Sequence, residues 1–277
     1  MKILLTGASS YVGARLYFDL KNAYSLIGTY FHNQLSPRFI KLDVTDKNRV
    51  EKTIKEIKPE IIIHVANYPS VRNSVNNEEN FTALNKKTTE YIVENANKIG
   101  AKMIFISSLA ATNPNDVYGK FKMESEESVK TVKAGYLILR PSLIIGLSPN
   151  TQNDRPFNRM LKCLDDKTKQ GAFDTSWKLQ PTYVGHLSQI IDKAIKRNYW
   201  NRTVSVYIDE MTTQYQIAKD ILKRFDISVL PEDKHINIPQ ATEDLAEMRS
   251  FNVVPATYKE LIETITGEIK NRNQFVL

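Results

Sequence analysis

Tyr118 and Lys122 stand four residues apart, a spacing that puts both on one face of a helix, one turn from each other. An ammonium beside a phenol favours the phenolate, so the pairing is expected to lower the tyrosine pKa. A fall from about 10 to about 7 corresponds to roughly 4 kcal/mol. A phenol tuned in this way exchanges a proton with a substrate oxygen near neutral pH. Ser108 lies ten residues earlier, just beyond the apolar run Lys102 to Ser107. A hydroxyl there can hydrogen-bond the same oxygen and steady its developing charge. Each feature alone has a plainer reading, an amphipathic helix surface for the first and a strand-ending turn for the second. The segment Thr6-Gly7-Ala8-Ser9-Ser10-Tyr11-Val12-Gly13 suggests a different chemistry. Gly7 permits a tight turn, small residues through Ser10 let backbone approach a pyrophosphate, and Gly13 allows close helix–strand packing. The helix that follows offers free N–H groups and partial positive charge to phosphates.

These residues need strands to deliver them and helices to hold them. Lys2 to Leu5 reads as a first strand, Ser25 to Phe31 as a second and Phe39 to Leu42 as a third. Glu60 to Val65 and Lys102 to Ser107 are continuous apolar strands, the pattern of a sheet covered on both faces. Tyr136 to Arg140 is the next strand. Helical patterns at Val12 to Leu20, Lys47 to Ile57, Glu79 to Ile99 and Tyr118 to Val132 separate them. This alternation implies a parallel sheet with helices on both faces, and ligands bind beyond its carboxyl-end strand tips. After Gly146 the rhythm weakens: helices are expected at Phe157 to Leu164, His186 to Ile195, Gln214 to Phe225 and Tyr258 to Ile269, with a strand at Thr203 to Ile208.

A chain of 277 residues with 42% hydrophobic and 25% charged residues is globular, which excludes disordered, collagen-like and coiled-coil classes. Cys163 is the single cysteine, so no intramolecular disulfide can form, and a reducing, cytoplasmic setting is expected. No two of the four histidines share a zinc-ligand spacing, and no metal is expected. The net charge of +7 suits an anionic ligand such as a nucleotide as well as a mixed solvated surface. No basic stripe with interleaved aromatics points to nucleic acid, and no apolar run is long enough for a signal peptide or a bilayer span.

Together the glycine-rich turn, Ser108 and the Tyr118/Lys122 pair resemble the extended short-chain dehydrogenase/reductase superfamily, in its nucleotide-sugar-modifying branch. Further segments match in order: Asp43-Val44, His64-Val65-Ala66-Asn67, Asn85, Leu139-Arg140-Pro141-Ser142 with Gly146, and Gln180-Pro181-Thr182-Tyr183-Val184. The resemblance implies a Rossmann-type doubly wound α/β fold, with residues 1–146 and 180–210 forming the dinucleotide-binding core. Residues 147–179 and 211–277 would form a small substrate-binding lobe. It implies catalysis by Ser108, Tyr118 and Lys122. Dinucleotide contacts would come from Gly7, Ser9, Ser10, Tyr11, Val12 and Gly13 in the turn. Tyr30, His32 and Asn33 would follow at the second strand, then Asp43, Val44, Val65, Ala66, Asn67, Pro141 and Ser142, with Lys122 on the nicotinamide ribose. Substrate would meet Tyr68, Arg72, Ser108, Arg155 and Arg159.

Ser10 stands where the family pattern has its middle glycine, so its side chain either crowds the diphosphate or bonds to it. The second strand ends Thr29-Tyr30-Phe31-His32-Asn33 without an acid, which permits a 2′-phosphate and favours NADP over NAD. NADP suggests net reduction. Leu109-Ala110-Ala111 after Ser108 lacks the acid pair of related dehydratases. The chain is most similar to dTDP-4-dehydrorhamnose reductases, the RmlD-like group. It departs from them at Ser107 to Thr112 and at Ile238 to Thr242, where their usual motifs are missing. The expected activity is reduction of a nucleotide-linked keto-sugar. A non-catalytic NADP-binding regulatory subunit and a nucleotide-sugar epimerase are the alternatives. A homodimer is compatible with either.

Overall fold

The computed structural model describes residues 1–67, 78–166, 170–236, 238 and 243–277, without the side chains of 78–84. The central sheet contains β1 (Lys2–Thr6), β2 (Ser25–Tyr30), β3 (Ile40–Lys41), β4 (Ile61–His64), β5 (Lys102–Ile106) and β6 (Tyr136–Pro141), closed by a seventh strand at Arg202–Val206. Short strands β7 (Ile144–Ile145), β8 (Ala172–Asp174) and β9 (Thr182–Tyr183) precede that seventh strand, which is therefore β10, and β11 (Leu230–Glu232) follows it. The order β10-β6-β5-β4-β1-β2-β3 is parallel throughout. The order reverses at β1, where β2 lies on one side and β4 on the other, so a crevice opens at their carboxyl ends. Register places Thr6 of β1 directly beside His64 of β4 at that edge.

The helices are α1 (Tyr11–Leu20), α2 (Lys47–Ile57), α3 (Glu78–Ile99), α4 (Val117–Val129), α5 (Pro156–Asp165), α6 (Val184–Arg197), α7 (Gln214–Leu222), α8 (Ala246–Ser250) and α9 (Tyr258–Lys270). Leu16, Leu187 and Ile190 join α1 and α6 to one face of the sheet, in a core with Ile3, Leu5, Ile63 and Ile104. On the opposite face Val50, Ile54, Ile92 and Val129 pack α2, α3 and α4 against Leu4, Ile62, Met103 and Phe105. Alternate residues of each strand thus enter opposite cores, which is why these strands read as unbroken apolar runs. A third cluster collects Phe157, Met160, Ile217, Ile221, Leu261 and Ile265 from α5, α7 and α9, together with Tyr11 from α1. Trp177 packs against this cluster.

Local chemistry sets the helix ends. Asp46 caps α2 by accepting from Arg49 N, and Lys58 closes it in the left-handed region just before Pro59. Thr257 and Glu260 form a capping box on α9. The third strand is shorter than its pattern suggests: Phe39 turns inward against Tyr17, and only Ile40 and Lys41 pair with β2. The helix expected from His186 starts two residues earlier at Val184, directly after β9 pairs in parallel with β7. Among the described residues no helix is long and apolar enough to cross a membrane.

Candidate active site

The glycine-rich turn joins β1 to α1 at the edge of the crevice. Gly7 adopts φ 71° and backs onto β4's exit; a Cβ there would lie 2.8 Å from the backbone N and Cα of Ala66. Gly13 is more constrained still, since its Cβ would sit 2.1 Å from Gly7 O. Glycine at both positions lets helix, turn and the end of β4 close on one another. Ser10 is the N-cap of α1 and accepts from Gly13 N at 3.0 Å. Its hydroxyl is committed to the helix, which explains how a serine replaces the family's glycine without losing the turn. Ser10 N donates to Gly7 O and Ala14 N to Ser10 O. The amides of Tyr11 and Val12, first in the helix, have no acceptor within it and are the donors an anion would meet. The Ser9 hydroxyl is buried without a hydrogen-bond partner. A close-packed turn, free helix-start amides and an unsatisfied hydroxyl fit a dinucleotide's diphosphate.

Ser108, Tyr118 and Lys122 converge two strands away. Ser108 follows β5 and caps a short 3-10 turn, Leu109–Ala111, by accepting from Ala110 N. Asp116 caps α4 through Gly119 N at 2.6 Å. Gly119 lets α4 press against that turn, because a Cβ there would lie 2.6 Å from Ala110 O. This contact sets the Tyr118 phenol near the Ser108 hydroxyl. The Tyr118 side chain is 37% exposed, on the carboxyl-end side of the sheet. Lys122 is buried below it, with Nζ 5.8 Å from the Tyr118 ring centre and donating to Ile106 O at 2.9 Å. The rings of Phe105 and Phe121 also face the ammonium, at 4.7 and 5.1 Å. With its amide turned to satisfy both neighbours, Asn67 Oδ1 accepts from Lys122 Nζ at 3.2 Å and its amide nitrogen donates to Ala66 O. His64 lies alongside, bonded to Thr6 Oγ1 at 2.7 Å. Burial and the Lys122 charge hold its pKa down to about 3, so it is a neutral neighbour.

The electrostatics correct one expectation. Tyr118 is not acidified by Lys122: burial raises its pKa, and the opposing influences come from the Ser108 hydroxyl and the charge of Arg155. The physical reason is the depth of the lysine. Its ammonium points into the protein toward Ile106 O, and burial pulls its own pKa down to about 7. At neutral pH the phenol keeps its proton and the lysine is the group near its midpoint.

Residues 1–247 match the model of the RmlD substrate binding domain. The chain belongs to that family. It is thereby a member of the extended short-chain dehydrogenase/reductase superfamily. Methionine adenosyltransferase 2 subunit beta of Xenopus tropicalis is 24% identical over 247 residues, 82% of this chain and 72% of that protein. The crystal structure of dTDP-4-dehydrorhamnose reductase from Bacillus anthracis, in complex with NADP, superposes with TM-score 0.78 at 22% identity, covering 96% of this chain and 98% of that one. UDP-glucose 4-epimerase from Thermotoga maritima, solved with UDP-glucose, gives TM-score 0.81 at 17% identity, covering 99% of this chain and 100% of that one.

Within this RmlD-type fold the remaining expected residues fall into distinct places. Tyr30, His32 and Asn33 lie at the end of β2, His32 exposed against Phe31 with ring centres 4.1 Å apart. Asp43 is occupied locally, accepting from Thr45 N and Oγ1, with Val44 beside it. Val65 and Ala66 continue β4 under the glycine-rich turn. Pro141 ends β6, and Ser142 N donates to Thr182 Oγ1. The Arg155 charge is felt at both Tyr118 and Tyr11, whereas Arg159 is drawn into a two-pronged pair with Asp154 at 2.7 and 3.1 Å. The Tyr11 side chain is buried and donates to Gly146 O, so only its backbone is offered to a ligand. Tyr68 and Arg72 lie outside the described residues, as does most of Ile238 to Thr242.

Several residues that hold this site have no motif of their own. Ser148 Oγ donates to Tyr11 O and Asn150 Nδ2 to Ser9 O, both at 2.6 Å, strapping the loop after β7 over the turn. Arg15 in α1 is buried and binds Asp19, Leu147 O and Glu268, the last at 2.7 Å; Glu268 in turn receives Leu147 N and the Tyr183 hydroxyl. Glu126, one turn beyond Lys122, is 1% exposed, bonded by Ser107 Oγ and gripped by Arg140. Only the buried position of an Arg or Glu on an otherwise apolar helix face could have signalled these pairs.

Proposed function

We propose that the protein is an NADP-dependent oxidoreductase that reduces the keto group of a nucleotide-linked sugar. The observation that carries this reading is the meeting of the Ser108 hydroxyl, the Tyr118 phenol and the buried Lys122 ammonium at the carboxyl end of β5, facing a glycine-rich helix start across the switch point. A nicotinamide dinucleotide, when bound, supplies the hydride. Ser108 orients the carbonyl oxygen by hydrogen bonding. Tyr118, protonated at neutral pH, donates its proton to the oxygen as charge builds there. Lys122 lies behind the phenol and would hold the nicotinamide ribose of the bound dinucleotide. Gly7 to Gly13 would hold the diphosphate, and the end of β2, which lacks a carboxylate, would accept a 2′-phosphate. The charge of Arg155 reaches the phenol, and this side chain would meet an anionic group of substrate such as a nucleotide diphosphate. We assign the sugar nucleotide to the lobe built from 147–179 and 211–277, above the strap at Ser148 and Asn150.

Similarity over 82% of the chain to a protein named as an adenosyltransferase subunit favours a second reading, a dinucleotide-binding subunit without turnover. One experiment separates the two: NADPH oxidation with nucleotide-4-ketosugars, for the native chain and Tyr118→Phe. Turnover that falls at least a hundredfold in the variant supports the reductase. Tight NADP binding with no turnover on any ketosugar supports the subunit. Full turnover by Tyr118→Phe refutes the proton-donor role.

A further inference from the structure

Lys122 is solvated by groups that carry no charge. Its ammonium meets Ile106 O, Asn67 Oδ1 and the faces of Tyr118, Phe121 and Phe105, with neutral His64 beside it on β4. Burial in such a setting drives a lysine toward its neutral form. Among the described residues one carboxylate opposes this, Glu126, on the same face of α4 one turn further on. Glu126 is itself pinned. Arg140 Nε bonds Oε1 and Oε2 at 3.0 and 3.2 Å, Arg140 Nη2 bonds Oε2 at 2.6 Å, and Ser107 Oγ donates to Oε1 at 2.5 Å. Glu243, 3.8 Å from Arg140, supports the pair from the far side. The charges therefore alternate along a line that runs inward from the partly exposed Glu243 through Arg140 to the buried Glu126 and Lys122, beneath the Tyr118 ring.

We propose that Glu126, fixed by Arg140 and Ser107, is a positioning residue that keeps the Lys122 ammonium protonated beneath the Tyr118 phenol. This rests on the reading of Lys122 as the cation of the site, and the test is chosen to separate the two.

The first readout is the pH titration of Lys122 in the unliganded full-length chain, followed by NMR of ¹³C,¹⁵N-lysine and assigned with Lys122→Met. In Glu126→Gln the midpoint falls by about one pH unit, the lower end of the range for loss of a neighbouring opposite charge. At pH 7 that reduces the charged fraction roughly fivefold from its value near the midpoint. Glu126→Asp, which keeps the charge, restores most of the loss. Because Glu126→Gln strands Arg140, the double variant Glu126→Gln/Arg140→Met removes both charges together and is expected to fold and to show the same lowered midpoint. The second readout is the thermal shift produced by NADP: in Glu126→Gln it recovers as pH is lowered from 8 to 6, which a merely loosened helix would not do. An unchanged Lys122 midpoint in both the single and the double variant overturns the proposal. A lowered midpoint with no NADP shift in the native chain at any pH sustains the proposal and refutes dinucleotide binding instead.

Discussion

Lys122→Met is expected to make the protein more stable while removing its chemistry. The lysine is 1% exposed, and its pKa is about 7 in the folded chain against 10.5 for a free lysine. The unfolded state therefore binds a proton more readily than the folded state between those two values, so this group's contribution to stability rises with pH across that window. At pH 7 the mismatch costs the fold on the order of 4 kcal/mol. Methionine matches the length of the side chain and needs no water, but it leaves Ile106 O and Asn67 Oδ1 without their donor, at about 1 kcal/mol each. The net expectation is a gain of about 2 kcal/mol at pH 7, or roughly 4–8 °C in Tm for a chain of this size. Urea and thermal melts of both proteins from pH 6 to 11 measure it. The advantage of the variant is expected to be nearly constant below pH 7 and to shrink by about 1.4 kcal/mol per pH unit above it, so that it is gone at about pH 8.5 and the native chain is the more stable by about 2 kcal/mol past 10.5. NADPH-dependent turnover is lost throughout. A variant less stable than the native chain at pH 7, or an advantage that grows with pH, would refute the reasoning.

Three other substitutions probe the frame around the site. Gly13→Ala forces a methyl group to within 2.1 Å of Gly7 O, so the turn must open, and NADP affinity by calorimetry should fall at least about tenfold, the equivalent of 1.4 kcal/mol. Ser10→Gly loses the cap bond to Gly13 N but costs only a few tenths of a kcal/mol. Since that hydroxyl faces the helix, NADP affinity should stay within about twofold; a markedly tighter complex would show that Ser10 crowds the diphosphate. Glu268→Gln leaves Arg15 buried with Asp19 as its remaining carboxylate and should cost about 3 kcal/mol, read as a lower urea midpoint.

The elements and the candidate reactive pieces are legible in the sequence, because both are written in local terms. Unbroken apolar runs such as Ile61–His64 announce strands covered on both faces, and Gly7 to Gly13 and Tyr118 to Lys122 are contiguous patterns whose spacing matters within one turn or one helix. Family membership followed from those pieces. The ends of elements were less legible: Phe39 looks like a strand residue, yet its N–H closes a turn on Ser36 O, so pairing with β2 begins only at Ile40 while the ring packs on Tyr17. How charge is distributed around the candidate site depends instead on the tertiary fold. Spacing alone sets Lys122 beside Tyr118, but the depth of the helix in the fold sends the ammonium toward Ile106 O, so burial lowers the pKa of the lysine and raises that of the tyrosine. The same holds for Arg15 with Glu268 and for Asn150 with Ser9, residues separated by more than a hundred positions. Burial and long-range pairing depend on what the rest of the chain places around a group, and no local pattern carries that information.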